Sequence, residues 1–456
     1  MVTKVKKYGG SVLRNLDGFH AVAQDISSEF DNMNNVIAVV SAPGTYDNRG
    51  KMTDSLIKVY NSVREGADPD QELNSFARDF KDFFDYSDSA NRVLDDMKKY
   101  LILATQHIST YDVFVSSGER VSSAVLSDIL EKEFNLEYQT FTGYGIGIQL
   151  DSRGDILVEQ TVKEMSKYLS PDSKIILEGF SGSYNGHAKT MARGGSDDTA
   201  ALTASLTGAE LWLMKDYPIM IAPPNIVPGA KVIRNMNYKE ASLAAKGGSE
   251  IVHGDAIDIA ERGKIPIYVA NFNNQQEYTL IHIRSETTKR FPVATISHDI
   301  VSVLNLDDPR MGGVSGYEFE VRGVLNRIFE EGEHGLGRPI SIDLSNSSPN
   351  DITLVLSRNM EGLESKLKQR LRAIGLRPKI SYDAVDGLIS VIGRAMKGRV
   401  GTHEALSGAL AEIGINIKTT FPSRKNPYIG YNIDPDRLEE AVRALYDIAI
   451  QPNLGQ

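Results

Sequence analysis

The stretch Lys189-Thr190-Met191-Ala192-Arg193-Gly194-Gly195-Ser196-Asp197-Asp198-Thr199-Ala200-Ala201 decides how the rest of the chain is read. A polar, glycine-bearing loop runs straight into a helix of small residues. Arginine can hold a carboxylate through two parallel hydrogen bonds. The glycines expose backbone donors, and Ser196 and Asp197 are expected to cap the helix and fix the loop. The competing reading is a plain helix cap with an incidental arginine. Three further turns, each following an apparent strand, extend the pattern. Lys7-Tyr8-Gly9-Gly10-Ser11 ends the first strand, where two glycines let the backbone approach an anion closely and Lys7 adds a point charge. Ser41-Ala42-Pro43-Gly44 ends the second. Ser117-Gly118-Glu119-Arg120 ends a third and opens a helix, where Glu119 is either a first-turn acid complementing the dipole or an acceptor for an ammonium. Each turn alone also reads as ordinary loop chemistry. Together they fall beyond the C-terminal ends of strands, where open α/β sheets bind ligands.

Around these turns, apolar runs alternate with helical periodicity over the first 275 residues. Val2–Lys7, Asn35–Ser41, Asp112–Ser116, Lys174–Phe180, Glu210–Asp216 and Pro266–Asn271 read as strands. Val36-Ile37-Ala38-Val39-Val40 is apolar throughout, as a strand covered on both faces must be. Leu16–Phe30, Arg120–Glu133, Ile156–Tyr168 and Asp198–Thr207 read as helices. The alternation predicts an α/β layered domain with a largely parallel sheet. From Gln276 to Val293 the pattern loosens, and 276–295 reads as a linker. Beyond it a strand-helix-strand-strand-helix set recurs: Ile300–Leu306, Val314–Phe329, Ile340–Leu344, Ile352–Leu356 and Leu363–Ile374, then Gly387–Ile392, His403–Ile413, Ile415–Thr419, Tyr428–Ile433 and Pro435–Ile448. The period is about 70 residues, an internal repeat by pattern.

Composition narrows the function. The chain has 456 residues, 41% hydrophobic and 24% charged, with a formal net charge of −10. That balance excludes a general nucleic-acid binder, which needs a basic face. With no cysteine, thiol catalysis, disulfides and thiolate metal sites are excluded, in keeping with a cytoplasmic location. Met1-Val2-Thr3-Lys4-Val5 runs into a strand with no signal peptide before it. No apolar run approaches the roughly 18 residues that span a bilayer, so no membrane partner is expected. His253 reads as a packed or capping residue, Trp212 as core, and the acidic run Asp79–Asp88 as a solvated helical face.

With Lys-Tyr-Gly-Gly-Ser, Ser-Ala-Pro-Gly, Gly-Glu and Arg-Gly-Gly-Ser-Asp in this order, the chain resembles the aspartokinases. Gly179-Phe180-Ser181-Gly182, Tyr238-Lys239-Glu240, Glu250-Ile251-Val252-His253 and Ile265-Pro266-Ile267 fit as well, and the repeated C-terminal units resemble paired ACT domains. The resemblance covers nearly the whole chain. It implies an amino-acid kinase fold, α/β with a largely parallel sheet sandwiched by helices, over 1–275. Two α+β ferredoxin-like βαββαβ ACT domains follow, over 296–380 and 381–456. The implied activity is transfer of the γ-phosphate of ATP to the β-carboxylate of L-aspartate, with Mg²⁺ held mainly by the nucleotide.

The roles carried over are these. Lys7 contacts the transferred phosphoryl group, and Gly9, Gly10 and Ser11 bind phosphate oxygens. Ser41 lies beside them. Thr53, beyond an insertion at Thr45–Gly50, contacts substrate. Glu119 holds the aspartate ammonium, Arg193 and Ser196 hold its carboxylates, and Asp197 belongs to the catalytic set. Lys215 and Asp216 open the nucleotide segment. A carboxylate nucleophile is already ionised at pH 7, so no general base is needed, and the work is positioning and charge neutralisation. Lys7, Arg193, Lys215 and Lys189 are the cations available. The chain departs from the family at Asp216-Tyr217-Pro218-Ile219 and Pro223-Pro224-Asn225, where a glycine, an acid and an arginine near the nucleotide are missing, and at Glu250, where many members carry lysine. These departures leave a silent amino-acid-binding regulatory subunit, or a same-fold kinase for another acidic amino acid, as alternatives.

For the C-terminal units the resemblance implies an effector, lysine or threonine, at the first turn. Met311, Gly313 and Val314 lie there, facing Asp351 and Ile352, and Met396–Gly401 is the matching turn of the second unit. Pairing of such units implies a homodimer or higher homo-oligomer.

Overall fold

The computed structural model describes residues 2–47, 49–191, 194–246, 252–283, 295–311, 316–332, 342–348, 350–357, 359–393, 396, 400–422 and 427–450. The chain divides into two compact units. The first comprises Met1–Ile219, Arg234–Tyr238 and Ile251–Ser285, and the second Met220–Ile233, Lys239–Glu250 and Glu286–Gln456.

The first unit is built on β1 (Thr3–Tyr8), β2 (Asn35–Val40), β3 (Gln139–Phe141), β4 (Ile175–Glu178), the hairpin β5 (Ser181–Tyr184) and β6 (His187–Thr190), β7 (Glu210–Lys215), β8 (Asn235–Met236), β9 (Ile267–Asn271) and β10 (Asn274–Ile281). Its helices are α1 (Leu16–Asp31), α2 (Met52–Arg64), α3 (Pro69–Asp79), α4 (Lys81–Tyr86), α5 (Asp88–Thr105), α6 (Tyr111–Val115), α7 (Ser117–Phe134), α8 (Gly143–Ile146), α9 (Val158–Met165), α10 (Gly195–Thr207) and α12 (Gly254–Gly263). Helix α11 (Tyr238–Lys246) begins in the first unit and continues into the second. The sheet order is β3-β4-β2-β1-β7-β9-β10-β8. From β3 to β9 every neighbour is parallel, and β10 turns back antiparallel to β9. All six residues of β2 are buried, which explains its unbroken apolar run: helices cover both faces of a parallel sheet. Parallel strands also aim their C-terminal ends at one edge, so the turns after β1, β2, β4 and β7 share it.

Three expectations are corrected here. Asp112–Ser116 is not a strand; 111–115 is a short helix, because a brief buried apolar run such as Val113-Phe114-Val115 carries no periodicity that separates the two. Ser117-Gly118-Glu119-Arg120 therefore opens α7 directly after another helix. Residues 276–281, read as linker, are the end of β10, a strand between β9 and β8 whose partly exposed side chains hide it from an apolar-run search. Phe80, Phe83 and Phe84 are core side chains, while Asp79, Asp85 and Asp88 on the same stretch face solvent. Trp212 is half-buried and stacks on Tyr268, with ring centroids 4.3 Å apart.

The second unit holds β11 (Thr295–Asp307), α13 (Tyr317–Gly332), β12 (Ile342–Ser347), β13 (Asp351–Leu356), α14 (Leu363–Ala373), β14 (Lys379–Ile392), α15 (Thr402–Glu412), β15 (Thr419–Pro422), β16 (Tyr428–Ile433) and α16 (Leu438–Ala449). One sheet, ordered β12-β13-β11-β14-β16-β15, carries both repeats. The long strands β11 and β14 pair antiparallel from Thr295↔Ile392 to Asp307↔Lys379, with an irregularity between Val301 and Val303. On either side of that irregularity the strands serve different cores. Leu304 and Leu306 join Ile380 and Tyr382 of β14 around Val321, Leu325, Leu367 and Leu371. Ile296 joins Ile389 and Val391 around Leu406, Leu410, Val442 and Leu445. A boundary at 380/381 would cut through β14. Ile221, Ala222, Ile226 and Ala230 belong to the second of these cores. Residues 220–233 thus depart from the expected 1–275 domain. In place of Ile415–Thr419, the third strand of the second repeat is 419–422. Among the described residues, no helix is long and apolar enough to cross a membrane.

Candidate active site

Backbone contacts draw the first two turns together. Gly44 N–H donates to Gly10 O at 2.9 Å, and Ser41 N–H to Tyr8 O at 3.2 Å. A Cβ on Gly10 would stand 2.7 Å from Ala42 O, and one on Gly44 would stand 2.4 Å from Gly10 O. Only glycine permits this approach. Gly9 differs: a Cβ there would meet nothing closer than Met214 O at 3.6 Å, Lys7 Nζ at 3.8 Å and Ser11 Oγ at 4.0 Å. Gly9 is thus buried beside the Lys7 ammonium and the Ser11 hydroxyl, with no clash that forces glycine there.

The second turn is held from three sides. Ala42 N–H donates to Glu119 Oε1 at 3.1 Å, Ser122 Oγ–H to Ser41 O at 2.8 Å, and Ser41 Oγ–H to Ser196 Oγ at 3.0 Å. A Cβ on Gly118 would stand 2.8 Å from Ala42 Cβ, so the residue before Glu119 must be small. Met52 N–H donates to Pro43 O at 3.0 Å, which sets the start of α2 and places half-buried Thr53 in its first turn, beside Ser41-Ala42-Pro43.

Opposite them lies Asp197. Helix α10 starts from Gly194, which has φ +98° and offers no side-chain cap. The expectation that Ser196 and Asp197 cap this helix is corrected. Asp197 Oδ1 meets Lys7 Nζ at 2.9 Å and Oδ2 meets Lys215 Nζ at 3.2 Å, a stronger use of a carboxylate than one backbone N–H. Burial works to raise the Asp197 pKa, but Lys215 and then Lys7 outweigh it and hold the carboxyl well below the usual range. Burial pushes the Lys215 ammonium down. Two ammoniums share one carboxylate at the strand ends, leaving a net positive charge where an anion would sit.

Glu119 is fully enclosed; burial pushes it up to about 7, against the Ala42 hydrogen bond and the Lys7 charge. Asp216 is exposed, and Lys189 lies over the Tyr184 ring in the β5–β6 hairpin. Arg193, Glu250, Gly313 and Val314 lie outside the described residues. In the second unit, Asp308 N–H donates to Asn350 O at 2.8 Å, which draws the turn carrying buried Met311 to the start of β13. There Asp351 is exposed and Ile352 buried.

Three participants escaped the sequence reading: Ser122, Ser123 and Glu178. Glu178 ends β4 fully buried, beside Ser123 Oγ at 3.4 Å, and burial with the Glu119 charge pushes it up to about 8. A charged residue closing an otherwise apolar run was the available signal. For metals, Asp198, His253 and Asp255 offer ligand atoms within 4.8 Å of one another. His253 Nδ1 lies 2.9 Å from Asp198 Oδ1, and its ring fills the space beside Gly194, where a Cβ would be 2.4 Å away. Asp197 already bridges two ammoniums, so its carboxylate is not free to hold a divalent cation.

Comparison with known proteins agrees with this architecture. The family model "Amino acid kinase family" matches residues 3–271, and an ACT domain model matches 389–448. An aspartokinase of Rickettsia felis is 26% identical over 426 residues, covering 91% of this chain and 92% of its own. Aspartokinase III of E. coli in complex with aspartate and ADP superposes with a TM-score of 0.80 at 21% identity, over 98% of this chain and 99% of that one. The same enzyme in complex with lysine and aspartate gives 0.72 at 22% identity, over 98% and 100%. The parallel sheet, its glycine-lined edge and the match over more than half the sequence place the chain in the amino acid kinase family.

Proposed function

We propose that this protein is an aspartate kinase, transferring the γ-phosphoryl group of ATP to the β-carboxylate of L-aspartate to give 4-phospho-L-aspartate. The observation that carries the reading is the Lys7–Asp197–Lys215 bridge at the glycine turn after β1, next to a buried carboxylate, Glu119, anchored on the Ser41 turn. Lys7 and Lys215 face the phosphates and stabilise charge that builds on the transferred group. Gly9, Gly10 and Ser11 supply donors to phosphate oxygens. Mg²⁺, when bound with ATP, adds charge neutralisation between the phosphates. Glu119 takes the substrate ammonium; Ser196, with Ser41 bonded to it, Thr53 at the start of α2, and Arg193 take its carboxylates. Asp197 keeps both lysines in place and takes no proton, because the nucleophile is already ionised.

The same proposal assigns the second unit to regulation. The turn at Met311 and the start of β13 at Asp351 and Ile352 would take an amino-acid effector. Lysine is the first candidate, since the E. coli neighbour binds it. Self-association as a homodimer or larger homo-oligomer and a cytoplasmic location belong to the same reading. The test is ATP- and Mg²⁺-dependent formation of aspartyl hydroxamate, with glutamate as the competing acceptor and lysine or threonine added in turn. Turnover with aspartate, suppressed by one amino acid, is expected. Preference for glutamate, or no turnover by folded protein, would overturn the proposal.

A further inference from the structure

Two buried carboxylates lie on the α7 side of the sheet, close enough for the Glu119 charge to act on Glu178. Glu119 and Glu178 are 4% and 5% exposed. Glu119 uses Oε1 toward Ala42 N–H at 3.1 Å, and Glu178 uses Oε1 toward the Ser123 hydroxyl at 3.4 Å, which also donates to Arg120 O at 3.0 Å; among the described residues, Oε2 of each is buried with no hydrogen-bond partner. Ser123 is one turn beyond Glu119 on α7, so a single helix face sets both groups. Leaving a buried carboxylate oxygen unpaired is costly, and a fold retains it where a ligand completes the set.

A structural ion pair does not explain Glu178. The guanidinium of Arg120, which acts on Glu178, directs its nitrogens to Asp96 at 3.0 Å and Tyr100 OH at 3.3 Å. It acts on Glu178 only through space. Among the described residues, the other charged or titratable groups acting on the pair are Lys7 from β1 and Tyr144 from α8. A primary ammonium, with three N–H donors and one positive charge, matches two carboxylates; a neutral amide does not.

We infer that Glu178 is a second recognition carboxylate, which together with Glu119 holds the ammonium of the amino-acid substrate and makes binding release a proton. The identity of that amino acid rests on the aspartate kinase reading. In the ligand-free protein, burial and mutual repulsion keep the pair partly protonated at pH 7, with Glu119 near 7 and Glu178 near 8. At pH 7 these values leave about half a proton on Glu119 and about nine-tenths on Glu178, somewhat more than one on the pair. When the ammonium arrives both groups ionise, and the proton passes to solvent with no covalent change in the substrate. An N-acylated amino acid would leave the pair unpaired and is rejected.

The test is calorimetric titration of L-aspartate into the full chain at pH 7, in buffers of different ionisation enthalpy, with steady-state kinetics alongside. Wild type is expected to release about one proton per aspartate. Glu178→Gln keeps the shape, removes the charge, and should remove more than half of that release. Its KM for aspartate should rise about tenfold while its KM for ATP stays put. Wild-type turnover with no proton release overturns the inference without needing the variant. Unchanged proton release and KM in Glu178→Gln overturn it too, leaving Glu178 a structural group. A folded wild-type chain that neither binds nor phosphorylates aspartate overturns the kinase reading, and this inference with it.

Discussion

Replacing Asp197 by asparagine removes one charge, keeps the shape, and leaves two ammoniums facing each other. The Lys7–Asp197 contact is 2.9 Å with both side chains under 10% exposed; Lys215, at 3.2 Å, is 21% exposed and better screened. At an effective dielectric of about 20, a unit pair at this separation attracts by roughly 5–6 kcal/mol, an upper bound before desolvation. Breaking a buried pair by removing one partner costs about 3–5 kcal/mol, because the remaining charges stay buried. Asp197→Asn should therefore lower the urea midpoint of the first unfolding transition by about 1 M or more. It should also cut kcat about 100-fold, because the lysines lose their anchor. The pH sign follows from the depressed Asp197 pKa. Its contribution is fully present above the unfolded value near 4 and is lost as pH falls toward the lower folded value. The wild-type acid limb should flatten in the variant. Circular dichroism in urea at pH 3 to 8 and kcat at saturating substrates are the measurements. An unchanged midpoint together with kcat within twofold of wild type would refute the bridge as a working element.

Other perturbations separate the parts. Gly10→Ala puts a Cβ 2.7 Å from Ala42 O, so it should cost about 1–3 kcal/mol in thermal unfolding and raise the KM for ATP. Glu119 and Glu178 have raised pKa values, so ligand-free stability should fall as pH rises from about 5 to 8, the folded state holding more protons over that window. Saturating aspartate should flatten that slope, which differential scanning fluorimetry would follow. Leu367→Ala in the Leu304–Leu371 core should destabilise the second unit by about 2–5 kcal/mol and blunt any effector response, with little change in effector-free kcat.

Much of the catalytic half was legible because parallel strands announce themselves. The runs 35–40 and 267–271 are apolar for a physical reason, coverage on both faces, and the glycine turns fall where their ends meet. The Lys7–Asp197–Lys215 bridge was half legible. Its members were named, but Asp197 was read as a cap because spacing alone does not say which of several donors a carboxylate will choose. Glu178 was passed over because one charge at the end of an apolar strand looks like the strand's exit into solvent. Residues 220–233 could not be assigned from the sequence, since Ile221 and Ile226 fill the core of a unit that begins some 60 residues later. The sharing of β11 and β14 between two cores was likewise hidden: a repeat read by period predicts two separate units.

The account stands most directly on whether Lys7 takes part in phosphoryl transfer to aspartate. The decisive measurement is aspartate-dependent ADP formation from MgATP by wild type and by Lys7→Ala, each shown folded by its urea transition. The account predicts ADP formation by wild type that requires L-aspartate, and loss of about 100-fold or more in the variant. Equal rates in the two proteins, or wild-type ADP formation indifferent to aspartate, would contradict it.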